Sequence, residues 1–284
     1  MKPLSEGQAN LARKLLIEGP LRPVAKPSYR ALLALEERWF RIMAGPPRSL
    51  PPGKVTAVIK TFERPRRCMA LIESVHRHFP GLPIIVVDDS REPGNYPNCL
   101  TIRLPFDSGL SAGRNASLAE VQTEYFLTLD DDFLFDRQTD LAAALSILDE
   151  HREIDLLSGE VVDLPLFIKH DSRGSRLFPT DAAPKISEGT RIGPAEVMEK
   201  VPNFFVARTD AVRPIGWDPE LKLLEHADFF TRARGRIVSA RWGGWRILHC
   251  RDPFDRTYRE FRDNLAASQA RLRQKYGLKT PGSA

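Results

Sequence analysis

Apolar residues are spaced in two ways along this chain, and the change from one to the other divides it. Over residues 11–17 and again over 29–43 they recur at helical intervals, with Leu32, Leu35, Trp39 and Met43 on one face of the second segment. Gly19-Pro20 ends the first segment, and Gly45-Pro46-Pro47 with Pro51-Pro52-Gly53 follows the second as a stiff linker. Residues 1–50 therefore read as a helical extension that packs on the remainder. From residue 55 onward continuous apolar runs take over. Residues 55–61 form a β-branched run, and Cys68, Leu71, Ile72, Val75 and Phe79 then repeat on one helical face behind Pro65, which suits a first turn. Ile84-Ile85-Val86-Val87 is the next run. Strand, helix and strand at this spacing predict a βαβ unit with a right-handed crossover and a parallel sheet.

The same pattern continues through a short strand at 99–104, a helix running to 121 and a buried strand at 125–129. A helix with Leu141, Ala144, Leu145 and Leu148, capped by Thr139 or Asp140, and a strand at 154–162 follow. Residues 163–200 lack periodicity and are rich in Pro, Gly, Ser and Lys, as in either an acceptor-facing loop or an ordinary insertion. Residues 201–207 predict a strand, and Thr209-Asp210 a cap for a short helix. A helix over 223–235 closes at Gly235. Two strands, 236–240 and 245–250, flank Trp242-Gly243-Gly244-Trp245, whose tryptophans serve as a sugar platform or as core. Residues 255–276 predict one basic helix with Tyr258, Phe261, Leu265 and Leu272 on a partial stripe. It either docks on the domain or touches an anionic membrane. The predicted class is α/β, with a mostly parallel central sheet, flanking helices and helical extensions at both ends.

Composition narrows the picture modestly. The 42% hydrophobic and 28% charged residues are those of a globular protein, and 284 residues suffice for one large domain with appendages. A net charge of +5 favours anionic partners without choosing among them, and the aromatics do not interleave with a basic stripe in any nucleic-acid motif. Cys68, Cys99 and Cys250 lie far apart and predict free thiols in a reducing compartment. No apolar leader and no run of ~18 apolar residues is found. The expectation is a cytoplasmic protein, with peripheral contact on the inner membrane face as its variant.

Chemistry gathers at the predicted strand ends, where open α/β sheets bind ligands. Thr61 ends the first strand, Asp88-Asp89 the second, and Asp130-Asp131-Asp132 the strand after Phe126-Leu127-Thr128-Leu129. Three adjacent carboxylates repel unless a cation or donors compensate them, although such a run in isolation reads as a turn and helix cap. Between them, Gly109-Leu-Ser-Ala-Gly113-Arg114-Asn115 leads into a helix. Its glycines allow close backbone approach to phosphate or ribose, but it is neither a P-loop nor GxGxxG. The convergence on one rim favours a nucleotide-sugar site with a hard divalent cation over a solvated turn.

The ordered motifs Lys60-Thr61-Phe62-Glu63-Arg64, Asp88-Asp89-Ser90, Gly109 to Asn115 and Leu129-Asp130-Asp131-Asp132-Phe133 resemble the nucleotide-binding half of a family 2-like GT-A glycosyltransferase. Val201-Pro-Asn203-Phe204-Phe205, Gly216-Trp217-Asp218-Pro219 and His226-Ala-Asp228-Phe229-Phe230 are similar to the β-1,4-N-acetylgalactosaminyltransferases that build ganglioside glycans. The likeness spans roughly residues 54–250. It implies a glycosyltransferase domain over 51–254, divided into a nucleotide-binding half at 51–162 and an acceptor half at 163–254, with a C-terminal helix and tail at 255–284. It further implies an inverting transfer of N-acetylgalactosamine or a related hexose from a UDP-sugar to a glycan or glycolipid hydroxyl. Thr61, Phe62, Arg64, Asp88, Asp89, Gly113, Arg114, Asn115, Asp130 and Asp131 would then hold the nucleotide, Asp131 otherwise only completing the turn. Asp132, Asp130 and His249 would hold Mn²⁺ or Mg²⁺. His226 stands where the family commonly has an aspartate, so Asp228 is the expected base, Glu225 the second choice and His226 a positioning group. A nucleotidyltransferase would want a glycine-rich triphosphate loop after the first strand, which Thr61-Phe-Glu-Arg-Pro65 does not offer. A catalytically silent binder is the remaining alternative.

Overall fold

The first strand of the sheet, Val55–Thr61 (β1), is buried along all of its length except Lys60, as expected of a β-branched run covered on both faces. The structure, a computed structural model, describes residues 13–170, 177–263 and 265–278. On either side β1 pairs in parallel with Ile84–Asp88 (β2) and Tyr125–Asp130 (β4), with Thr61 opposite Asp88 and Lys60 opposite Asp130. That register brings the polar strand ends to one rim. Leu100–Arg103 (β3) extends the parallel half beyond β2.

The other half is mixed. Phe205–Arg208 (β10) inserts antiparallel between β4 and Leu156–Asp163 (β6), and Ser239–His249 (β11) runs parallel to β6. Arg191–Ile192 (β8) and Ala195–Val197 (β9) form an edge hairpin, while Phe133–Leu134 (β5) pairs with β11 and Ile168–Lys169 (β7) with β6. The segment 163–200 is thus not structureless, and its residues 171–176 lie outside the described ones. Alternate strand residues feed opposite faces: Ala57, Ile59, Leu127 and Leu129 join the layer of Pro65–His78 (α2) and Leu141–Glu150 (α4). Val58 and Phe126 join the layer of Leu110–Glu120 (α3), the short helix Thr209–Val212 (α5) and Glu225–Ala233 (α6). Asp140 caps α4 by accepting from the Ala143 amide at 3.1 Å.

Three expectations need correction. The N-terminal extension forms a short π-helix at Arg13–Ile17 and a helix at Arg22–Ile42 (α1), residues 1–12 lying outside the described ones. Helix α1 docks through Tyr29, Leu33 and Phe40, whereas Leu35 and Trp39 are 66% and 59% exposed, so the stripe singled out in the sequence faces away from the domain. The helix is apolar on two sides, and spacing cannot say which one packs. The Trp-Gly-Gly-Trp stretch is not a break between strands: β11 runs through it, with the pairing register shifting between Arg241 and Arg246. Trp245 is fully buried against Phe204, with ring centroids 4.3 Å apart, and offers no face to a sugar. Finally, the C-terminal segment forms two helices, Arg256–Asp263 (α7) and Ala266–Tyr276 (α8). They dock on the domain through Phe261, edge-on to Phe62, and through buried Leu272. The three cysteines are free, and no helix among the described residues is long and apolar enough to cross a membrane.

Candidate active site

Two adjoining cavities open at the carboxyl ends of β1, β2 and β4, with volumes of about 440 and 540 Å³. Lys60, Leu110 and Tyr258 line both. Each volume is in the range usual for small-molecule sites.

The smaller cavity contains the acidic turn. Asp130 faces it at the end of β4, with Arg114 Nη2 3.7 Å away. Asp131 turns inward, accepting from Thr61 Oγ1 at 2.7 Å and from Arg64. Asp132 accepts from Arg64 Nη1 at 2.9 Å through one oxygen, and its other oxygen is 3.2 Å from His249 Nε2. The guanidinium of Arg64 lies over Tyr258, 3.7 Å from the ring centroid. Neighbouring carboxylates cannot all ionise freely in a buried site. Burial pushes Asp131 up to about 6, against the pull of Arg64. For Asp132 burial is outweighed by His249 and Arg64, which hold the carboxyl well below its usual range. Burial likewise opposes the charge on His249, but Asp132 and Asp163 raise it to about 10.

The larger cavity is bounded by Phe62, Asp89 and Phe261. Asp89 accepts from Lys60 and from the Gly109 amide at 2.9 Å, tying β1 to the glycine-rich turn. Gly109 has φ of +96°, which only glycine adopts without strain, and its backbone abuts Lys222. At Gly113 any Cβ would collide with the Lys60 chain, so this glycine makes room for the lysine.

Of the residues expected to bind nucleotide, Phe62, Arg64, Asp89, Arg114, Asp130 and Asp131 line a cavity. Others are placed differently. Thr61 is buried beneath the turn as a donor to Asp131. Asp88 is fully buried and holds the loop after β2, accepting from the amides of Ser90 and Gly94 and from Tyr96 Oη. Asn115 pins Trp217 through both backbone groups, at 2.7 and 2.8 Å. Neither acid of α6 lines either cavity. Glu225 is buried and pairs with Arg114, which puts it one side chain behind the cavity wall. Asp228 has no exposure; it accepts from Arg232 Nε and Tyr276 Oη, each at 2.8 Å, and lies 2.6 Å from Lys275 Nζ. Those partners make it a tie between α6 and α8. His226 donates from Nε2 to the Val201 carbonyl at 2.7 Å, and burial lowers its pKa to about 4.

Sequence reasoning missed several wall residues. Lys60, one charge within an apolar strand, was a usable signal. Asn203, His170, Tyr258 and Arg259 also reach the smaller cavity. No local signal marks His170, which meets the site only through strand pairing.

The family model described as Glycosyl transferase family 2 matches residues 56–216. The chain is 32% identical to beta-1,4 N-acetylgalactosaminyltransferase 2 of Mus musculus, over 78% of this chain and 45% of that protein. It is 34% identical to beta-1,4 N-acetylgalactosaminyltransferase 1 of Homo sapiens, over 68% of this chain and 39% of that protein. The chain thus spans less than half the length of these relatives. Among solved structures, GalNAc-T7 with UDP, GalNAc and Mn²⁺ shares the fold, with a TM-score of 0.53 and 13% identity over 69% of this chain and 43% of the other. Because the family match covers more than half of the residues, the chain belongs to glycosyl transferase family 2.

Proposed function

We propose that the chain transfers N-acetylgalactosamine or a related hexose from a UDP-sugar to a hydroxyl of a glycan or glycolipid, with inversion at the anomeric carbon and with a divalent cation. The observation that carries this reading is the meeting of Asp130, Asp132 and His249 on one cavity wall with Arg114, beside a second cavity walled by Phe62 and Asp89. Two carboxylates and an imidazole suit Mn²⁺ or Mg²⁺, and the basic groups already flanking Asp132 occupy positions where a cation would compensate it. When bound, such a cation supplies positive charge to the leaving diphosphate.

The chain's own residues supply the rest. Lys60 and Arg114 bring positive charge to the phosphates, and Phe62 offers its ring to the uracil. Of the two acids of α6, Glu225 is the better placed to take the proton of the acceptor hydroxyl, because its partner Arg114 lines the cavity, whereas Asp228 is enclosed by Arg232, Lys275 and Tyr276. Purified protein incubated with UDP-N-acetylgalactosamine, Mn²⁺ and a panel of glycan acceptors tests the reading through UDP release and NMR of the product's anomeric proton. Release dependent on acceptor and Mn²⁺, with a β-linked product, is the expected result. Retention of the α configuration, or undiminished turnover in Glu225→Gln, would overturn the assignment.

A further inference from the structure

Asp163, His170 and His249 form a cluster at the sheet end, of which the proposed mechanism uses His249 alone. Their ligating atoms lie within 4.8 Å of one another. Backbone pairing fixes all three. Asp163 at the end of β6 lies opposite His249 at the end of β11 in the parallel ladder and opposite Ile168 of β7 in the antiparallel one. The His170 amide donates to the Val161 carbonyl at 2.9 Å. On the far side of His249 the ladder continues: His249 lies opposite Phe133, and the Cys250 amide donates to the Asp132 carbonyl at 2.8 Å.

The side chains follow the same line. His249 Nδ1 is 2.7 Å from Asp163 Oδ1, and His170 Nε2 is 2.7 Å from that same oxygen. A carboxylate only accepts, so Nδ1 carries a hydrogen whenever this contact is made. The other ring nitrogen, Nε2, is then the atom that faces Asp132 at 3.2 Å. A histidine ligand generally has its orientation and tautomer set in this way by an acceptor behind it.

We propose that Asp163 is a positioning residue which fixes the His249 ring with hydrogen on Nδ1 and with Nε2 directed at the cation site beside Asp132, and that His170 steadies the Asp163 carboxylate. This rests on the reading of Asp132 and His249 as cation ligands. Its test measures Mn²⁺ affinity by the EPR signal of free Mn²⁺ for the parent chain and for Asp163→Ala, Asp163→Asn, His170→Ala and His249→Ala. In parallel, long-range ¹H–¹⁵N spectra of the Mg²⁺-loaded parent and Asp163→Asn report the His249 tautomer, the signal being identified by its loss in His249→Ala. Asp163→Ala should weaken Mn²⁺ binding by about 10- to 100-fold, the usual effect of losing such a support. Asp163→Asn, which still accepts from Nδ1, should recover part of that loss and keep the Nδ1–H tautomer, and His170→Ala should cost least. If His249→Ala is weakened while both Asp163 variants bind within twofold of the parent, the positioning role is overturned and the cation reading stands. A loss in His170→Ala as large as in His249→Ala would make His170 a ligand and also overturn it. A parent chain that binds no Mn²⁺ overturns both readings together.

Discussion

Replacing Arg64 with methionine removes the cation that Asp131 and Asp132 share while keeping most of the side chain's volume. The three side chains are only 14%, 3% and 7% exposed, so water cannot take over the compensation. Removing one partner of a buried ion pair costs about 3–5 kcal/mol, because the other charge is left uncompensated. At roughly 2–4 °C per kcal/mol for a domain of about this size, the melting temperature should fall by about 6–20 °C at pH 7.5 in EDTA. The loss should shrink at lower pH. Asp131 has a folded pKa raised to about 6, above its ordinary 3.8, so its ionisation costs the fold stability as pH rises through that window. Without Arg64, which pulls that pKa down, the cost at pH 7.5 grows, whereas at pH 5 the acid is protonated and the cost is small. Differential scanning fluorimetry at both pH values reads the effect. A drop under about 2 °C at pH 7.5, or a larger loss at pH 5 than at pH 7.5, would refute the role assigned to Arg64.

In Gly113→Ala the added methyl displaces the Lys60 chain rather than backbone, so UDP affinity measured by calorimetry should fall about tenfold while the melting temperature stays within about 3 °C of the parent. Asp228→Asn should act mainly on stability, loosening α8 and lowering the melting temperature, whereas Glu225→Gln should leave UDP binding intact and abolish transfer; the opposite pattern would restore Asp228 as base. His226 has a folded pKa depressed from 6.5 to about 4, so it stabilises above pH 6.5 and that contribution is lost as pH falls from 6.5 to 4. His226→Gln should flatten this limb of the stability profile, and an unchanged acid limb would show that other groups govern it. Trp245→Ala should cost about 3–5 kcal/mol in denaturant unfolding, with donor preference unaltered, since the ring is core.

The elements legible in the sequence are those whose signal is local. Strands β1, β2 and β4 are continuous apolar runs, and α2 keeps one clean face behind Pro65. The direction of β10 is not legible, because a short, largely apolar run reads the same in a parallel or an antiparallel neighbour. Strands β5, β7, β8 and β9 have two or three residues each and exist through their pairing rather than through propensity. The site divides in the same way. Asp130, Asp131 and Asp132 announce themselves by crowding, but Asp163 and His170 join His249 only when three strands come into register. Asp88 and Asn115, expected at the nucleotide, are seen holding a loop and Trp217, because polar residues at strand ends and helix starts look alike whether they hold a ligand or a loop.

The docked C-terminal helices set the order in which the molecule can be finished. The family match stops at residue 216, yet β11 lies between β6 and β9, and Tyr258 closes the cavities. A fragment ending at the family boundary would leave β6 with an open, hydrogen-bond-hungry edge, a template for association with other chains. During synthesis the same edge stays uncovered until Ser239–His249 has emerged, and Asp228 remains unpaired with Lys275 and Tyr276 until α8 is made. A growing chain therefore completes its sheet and its candidate site together, which makes the segment from Ser239 to Tyr276 a control on both solubility and the integrity of that site.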